Sequence, residues 1–109
     1  MITTHVLDTS RGAPAAGLTV RLDFRRSTEW VTIGRAKTDL NGRVMSFTTA
    51  PVVPGTYRLT FETAAFHKAH GVAPFFPEVS VVFDVETSGV HYHVPLLLSP
   101  FGYSTYRGA

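Results

Sequence analysis

The side chains best suited to moving a proton in this chain are its histidines. His5, His91 and His93 fall in segments that alternate polar and apolar residues, whereas His67 and His70 fall in one that does not. Imidazole titrates near neutrality, so a positioned histidine can accept a proton and return it within one reaction cycle. His91 and His93 are two residues apart and share one side of a strand. Such a pair could also chelate, but zinc takes three or four protein ligands. The chain has no cysteine, and no Asp or Glu lies close to the pair. We therefore expect no metal. His67 and His70, one helical turn apart, read as exposed and inert. A lone histidine on a strand's outer face is ordinarily just solvated. Here the same outer faces carry Leu7 and Leu97, which predicts that this side is covered.

The other polar candidates read in two ways. Arg43 directly follows Asn41-Gly42 and opens a strand. The common fate of such an arginine is exposure, yet its planar fork of donors also suits a flat, oxygen-rich ring. Tyr106 shares a side with Ser104, while Arg107 points the opposite way. An inward arginine there needs a carboxylate partner, so Arg107 is read as structural. Neither Ser99 nor Ser104 stands in a Gly-x-Ser-x-Gly elbow, and no phosphate-binding glycine loop is present.

These residues must be positioned by β-structure. The 109 residues suffice for one domain, residues 1–109, with a two-layer core. At 44% hydrophobic and 17% charged, the chain is globular rather than disordered. A net charge of +2 without a basic run gives nucleic-acid binding no support. The lack of cysteine, of a leader-like N-terminus and of a long apolar run leads us to expect a soluble, cytoplasmic protein without membrane association. Alternation predicts strands at 2–8, 18–24, 30–38, 43–47, 56–62, 78–85, 90–99 and 103–107. Leu18, Val20, Leu22 and Phe24 face inward, as do Tyr57, Leu59 and Phe61. Asp39-Leu-Asn-Gly42 is expected to form a hairpin-type turn. Thr63 to His70 breaks the alternation and predicts one short helix, with Thr63 as its N-cap and Gly71 as its stop. In the last strand pair, Val94, Leu96 and Leu98 alternate with His93, Pro95 and Leu97, so the two sets face opposite ways. The pattern as a whole predicts an all-β, two-sheet antiparallel sandwich of eight strands with one short helix between strands five and six.

Two stretches carry a resemblance. His91-Tyr-His-Val-Pro-Leu-Leu-Leu-Ser-Pro100 with Tyr103-Ser-Thr-Tyr-Arg-Gly108 is similar to the C-terminal signature of the transthyretin-like 5-hydroxyisourate hydrolases. Thr4-His-Val-Leu-Asp-Thr-Ser-Arg-Gly-Ala-Pro-Ala-Ala-Gly17 resembles their N-terminal signature. The resemblance implies hydrolytic opening of the 5-hydroxyisourate lactam in urate breakdown, without a cofactor. It implies His5, His93 and Arg43 as catalytic residues, with His5, Arg43, Tyr106 and Ser104 binding substrate. It further implies a homotetramer with sites where dimers meet. The family usually ends Tyr-Arg-Gly-Ser, and Ala109 stands here in place of that serine. Transthyretin, a carrier of hydrophobic hormones, shares the fold but lacks the histidines and the Tyr-Arg-Gly ending. Gly12-x-Pro14, Asp39-x-Asn-Gly42 and Pro54-Gly-Thr-Tyr57 also occur in non-catalytic sandwich modules, where they only build turns.

Overall fold

The computed structural model describes residues 1–109. Alternation resolves into nine strands and one helix: β1 (Ile2–Asp8), β2 (Ala13–Pro14), β3 (Thr19–Arg26), β4 (Glu29–Lys37), β5 (Arg43–Val44), β6 (Gly55–Phe61), α1 (Thr63–Ala69), β7 (Val79–Val85), β8 (Tyr92–Ser99) and β9 (Gly102–Thr105). They form two sheets. One runs β4-β3-β6-β7; the other runs β2-β1-β8-β9, with β5 also paired to β1. The sandwich and its helix match the expectation, but the strands number nine rather than eight, because Ala13–Pro14 adds a short strand beside β1, and one pairing differs. β1 and β8 run parallel over their full length, from Ile2 opposite Tyr92 to Asp8 opposite Leu98. Side chains alternate in the same way in parallel and antiparallel strands, so the pattern alone carries no sign of direction.

The inward sets meet as one core that includes Val6, Val20, Leu22, Leu59, Phe61, Leu96 and Leu98. Fully burying such a side chain contributes roughly 1.5–3 kcal/mol. A one-residue slip of β8 would exchange Val94, Leu96 and Leu98 for His93, Pro95 and Leu97. The core thus fixes the side on which His93 emerges.

Three local expectations change. The segment 39–42 does turn, with Gly42 at φ 76°, but it is not a hairpin, because it hands the chain from β4 in one sheet to β5 in the other. The strand expected at 43–47 shortens to Arg43–Val44, since β1 shares that edge between β5, at Thr4 and His5, and β2, at Leu7 and Asp8. In α1 the N-cap is Glu62, without a side-chain cap bond, and Thr63 is the first helical residue. Thr63 Oγ1 is therefore buried without a partner. Gly71 follows the helix at φ 72° and its N–H donates to the Lys68 carbonyl, as a stop residue should.

Candidate active site

The outer face of β1, β5 and β8 gathers the polar candidates. The parallel register sets Thr3 beside His93, and the antiparallel β1–β5 register sets His5 beside Arg43. Directly paired residues hold their Cβ atoms about 4.5–5.5 Å apart. Thr3 lies on this outer face yet is fully buried, because imidazoles cover it. Its Oγ1 is 2.7 Å from His91 Nε2 and 2.7 Å from His93 Nδ1. The two imidazole centroids are 5.9 Å apart.

His93 is held from its other side by the C-terminal tail. The Gly108 N–H donates to the His93 carbonyl at 2.8 Å. A Cβ on Gly108 would come within 2.5 Å of His93 Cδ2, so only glycine lets the tail lie against the ring. Burial lowers the affinity of His93 for a proton, and the nearby charges of His91, His5 and Arg43 lower it further. Its pKa falls below the usual 6.5, which keeps His93 neutral at pH 7.

Arg43 is aimed by the turn before it. The Asp39 carboxylate accepts from the backbone N–H groups of Asn41 at 2.8 Å and Arg43 at 2.9 Å. The Arg43 N–H bond is the main reason that the Asp39 carboxyl sits below its ordinary range, and the charges of Arg43 and His5 add to it. Gly42 is required here twice over: its φ is positive, and a Cβ would collide with the Val6 carbonyl oxygen. The guanidinium of Arg43 makes no ion pair within the chain.

The structure thus brings His5, His93 and Arg43 together, but not every predicted residue. Ser104 pairs with Leu97, four residues along β8 from His93. That is about 13 Å at strand rise. It lies in a shallow depression with Thr9 and Ser99. β9 ends at Thr105, but the His93–Gly108 bridge continues its register, which sets Tyr106 opposite Pro95 and Arg107 opposite Val94. Tyr106 is exposed at the sheet edge and also borders a cavity of about 250 Å³ against β7. Arg107 finds no carboxylate. Its guanidinium carbon lies 4.9 Å from the centre of the Tyr92 ring, a structural contact. His67 is not exposed as expected: it is buried against Phe66, and its Nε2 has no partner. His70 Nδ1 meets the Phe66 carbonyl at 2.9 Å. No group of three or more His, Cys, Asp or Glu side chains is arranged to hold a metal ion. The widest cavity, about 480 Å³ beside Phe47 and Val52, is lined by no titratable side chain and by none of the gathered residues.

Sequence reasoning missed Thr3, Gly108 and Asp39, and it treated His91 only as half of a metal pair. The tripeptide Tyr106-Arg107-Gly108 did mark the tail, but not that its glycine packs on a histidine.

A profile described as HIUase/Transthyretin family matches residues 2–108. The chain belongs to that family. Within the HIUase/transthyretin family, a probable 5-hydroxyisourate hydrolase of Caenorhabditis elegans is 46% identical over 99% of this chain and 81% of its own length. The 5-hydroxyisourate hydrolase of Mus musculus is 43% identical, over 99% of this chain and 94% of its own. The solved structure of the Klebsiella pneumoniae 5-hydroxyisourate hydrolase superposes with a TM-score of 0.86 at 40% identity, covering 99% of this chain and 98% of that one. Sea bream transthyretin in complex with thyroxine superposes at 0.91 with 32% identity, covering 99% and 94%. Backbone similarity therefore fits enzyme and carrier alike, and the side chains must separate them.

Proposed function

We propose that the chain hydrolyses the lactam ring of 5-hydroxyisourate, the substrate in the names of its hydrolase relatives. One observation carries this reading: the strand register sets His5 beside Arg43 and His93 beside Thr3 on one open sheet face, where burial first, and then the charges of His91, His5 and Arg43, hold the His93 pKa below 6.5. An imidazole that is neutral at pH 7 keeps a lone pair free to accept a proton from water. A face built only to hold an apolar ligand has no use for it.

In the proposed reaction His93 takes a proton from water as the water oxygen adds to the lactam carbonyl carbon. Such a base is worth roughly 10²- to 10⁴-fold in rate. Negative charge gathers on the carbonyl oxygen, where Arg43 supplies a fixed cation and parallel donors. Collapse re-forms the carbonyl and breaks the bond to the ring nitrogen, which takes a proton from His5 or His93. One water is consumed and a carboxylic acid is formed, which ionises. No cofactor enters. Tyr106 serves as wall or hydrogen-bond donor at the sheet edge. Ser104, some distance along the strand, reaches substrate only if a second copy folds over this face. The reading accordingly includes a homotetramer with sites between dimers, supported by the open face itself and by exposed Phe101 and Tyr106. It also includes a cytoplasmic location. No helix is long and apolar enough to cross a membrane.

The test is the decay of 5-hydroxyisourate produced in place by urate oxidase, followed in the ultraviolet. The wild-type chain is expected to accelerate it. A trace equal to protein-free decay, with saturable binding of thyroxine, would instead mark a carrier.

A further inference from the structure

The outer face holds two polar groups that take no step in the reaction above, Thr3 and His91. Thr3 Oγ1 lies within 2.7 Å of a nitrogen on each of His91 and His93, and the residue is fully buried beneath them. A hydroxyl carries a single proton and two lone pairs. It can therefore donate to only one of the two imidazoles and must accept from the other whenever both bonds form. The tautomers of His91 and His93 are locked to each other through this one atom.

The surroundings give the lock a direction. The titratable and charged groups that act on His93 are His5, His91 and Arg43. No carboxylate bonds to it or pairs with it. The acid that orients a catalytic histidine in many hydrolases has no counterpart here. His91 is exposed to solvent whereas His93 is half-buried. A base at His93 needs a lone pair on Nε2, so the ring proton must sit on Nδ1, next to Thr3.

We propose that Thr3 is a positioning residue for this hydrolysis: its hydroxyl holds the His93 proton on Nδ1, leaves Nε2 open to water, and connects His93 to His91 as the exit for the proton. The inference rests on the hydrolase reading. In the resting state His93 Nδ1–H donates to Thr3 Oγ1, and the Thr3 hydroxyl donates to His91 Nε2. When His93 Nε2 takes a proton from water, the Nδ1 proton passes to Oγ1 and the Oγ1 proton to His91. His93 is again neutral, now with its proton on Nε2 facing the substrate. His91 is an imidazolium at the surface and releases its proton to solvent. When Nε2 then gives its proton to the departing ring nitrogen the relay runs backwards: a solvent proton enters at His91, the His91 Nε2 proton passes to Oγ1 and the Oγ1 proton to His93 Nδ1, which restores the resting tautomer and leaves the proton of the new carboxylic acid as the only one released overall.

The experiment labels histidine with ¹⁵N in the wild type, Thr3→Val and Thr3→Ser, and reads the imidazole tautomers by NMR beside the kinetics. Valine matches threonine in shape and removes only the hydroxyl, so the strand should persist. The wild type is expected to show His93 as the Nδ1–H tautomer. Thr3→Val is expected to shift His93 toward Nε2–H and to lower kcat roughly 10- to 100-fold, a loss of the size that misplaced groups produce, with KM little changed. Thr3→Ser is expected to restore both the tautomer and most of kcat. A wild-type His93 already in the Nε2–H form, or a Thr3→Val chain with unchanged tautomer or unchanged kcat, would overturn the inference. A Thr3-dependent tautomer in a wild type that does not hydrolyse at all refutes the hydrolase reading and removes the proton exit with it, leaving only the hold of Thr3 on His93.

Discussion

The two sheets both carry arginines on their outer faces and treat them in opposite ways. On the β3–β6 face Asp23 is buried and fully partnered. Arg58 Nη2 approaches its carboxylate at 2.8 Å, Arg21 Nε at 3.2 Å, and the Thr32 hydroxyl donates at 2.8 Å. Arg58 also lies over the Trp30 ring, 4.4 Å from its centre. Burial alone would raise the Asp23 carboxyl, but the bonds from Arg58 and Thr32 and the charges of both arginines outweigh it and hold the pKa below 3.8. On the β1–β5–β8 face Arg43 has no acid partner, and burial and surrounding charge push His93 toward its neutral form. Arginine thus stands in a closed network on one side and in an unsatisfied one on the other. The unsatisfied face is where a substrate can complete what the chain leaves open.

Substitutions on the two faces should therefore separate activity from stability. Arg43→Ala is expected to lower kcat about 10²- to 10³-fold, the usual effect of losing one oxyanion partner, while the melting temperature stays near that of the wild type. A large loss of stability instead would make Arg43 a second Asp23 and erase the contrast. Gly108→Ala should displace the His93 ring and reduce kcat on the order of 10-fold or more, measured as kcat against KM. Unchanged kinetics would mean that the tail does not fix the ring.

Asp23→Ala should do the reverse. It removes a buried acceptor and leaves two half-exposed arginines, which costs about 1–3 kcal/mol. Denaturant unfolding should report that loss with kcat unaltered, and a drop in kcat would show the faces to be coupled. Acid should strike the faces in sequence. The folded pKa of His93 lies below 6.5, so its contribution is complete above that pH and declines as pH falls through the lower folded value. Asp23 follows the same sign from below 3.8. Activity is expected to fade on the first limb while the fold persists, and global unfolding to follow only on the second, which parallel activity and circular-dichroism titrations would resolve.

Much of this arrangement was legible before the structure. Alternation in Val94-Pro-Leu-Leu-Leu98 told which side His93 takes, because burial of the leucines fixes the register. The outward placement of His5 followed in the same way from Val6. The sheet switch after Asp39 was not legible, since turn chemistry is local and is the same whether the chain returns to its own sheet or crosses to the other. The parallel pairing of β1 with β8 was hidden for a similar reason, and with it the role of Thr3, which meets His93 from 90 residues away. The packing of Gly108 depended on a register that continues past the last residue of β9. Sequence showed which residues could do chemistry, but only long-range pairing showed which of them touch.

The central claim is that the unsatisfied face is a catalytic site with His93 as its base. It is tested most directly by following 5-hydroxyisourate decay with equal amounts of wild type and His93→Ala, both first shown to be folded. The expected result is strong acceleration by the wild type and a loss of roughly 10²- to 10⁴-fold in the variant. Equal rates for the two chains would contradict the claim, whatever the fold resembles.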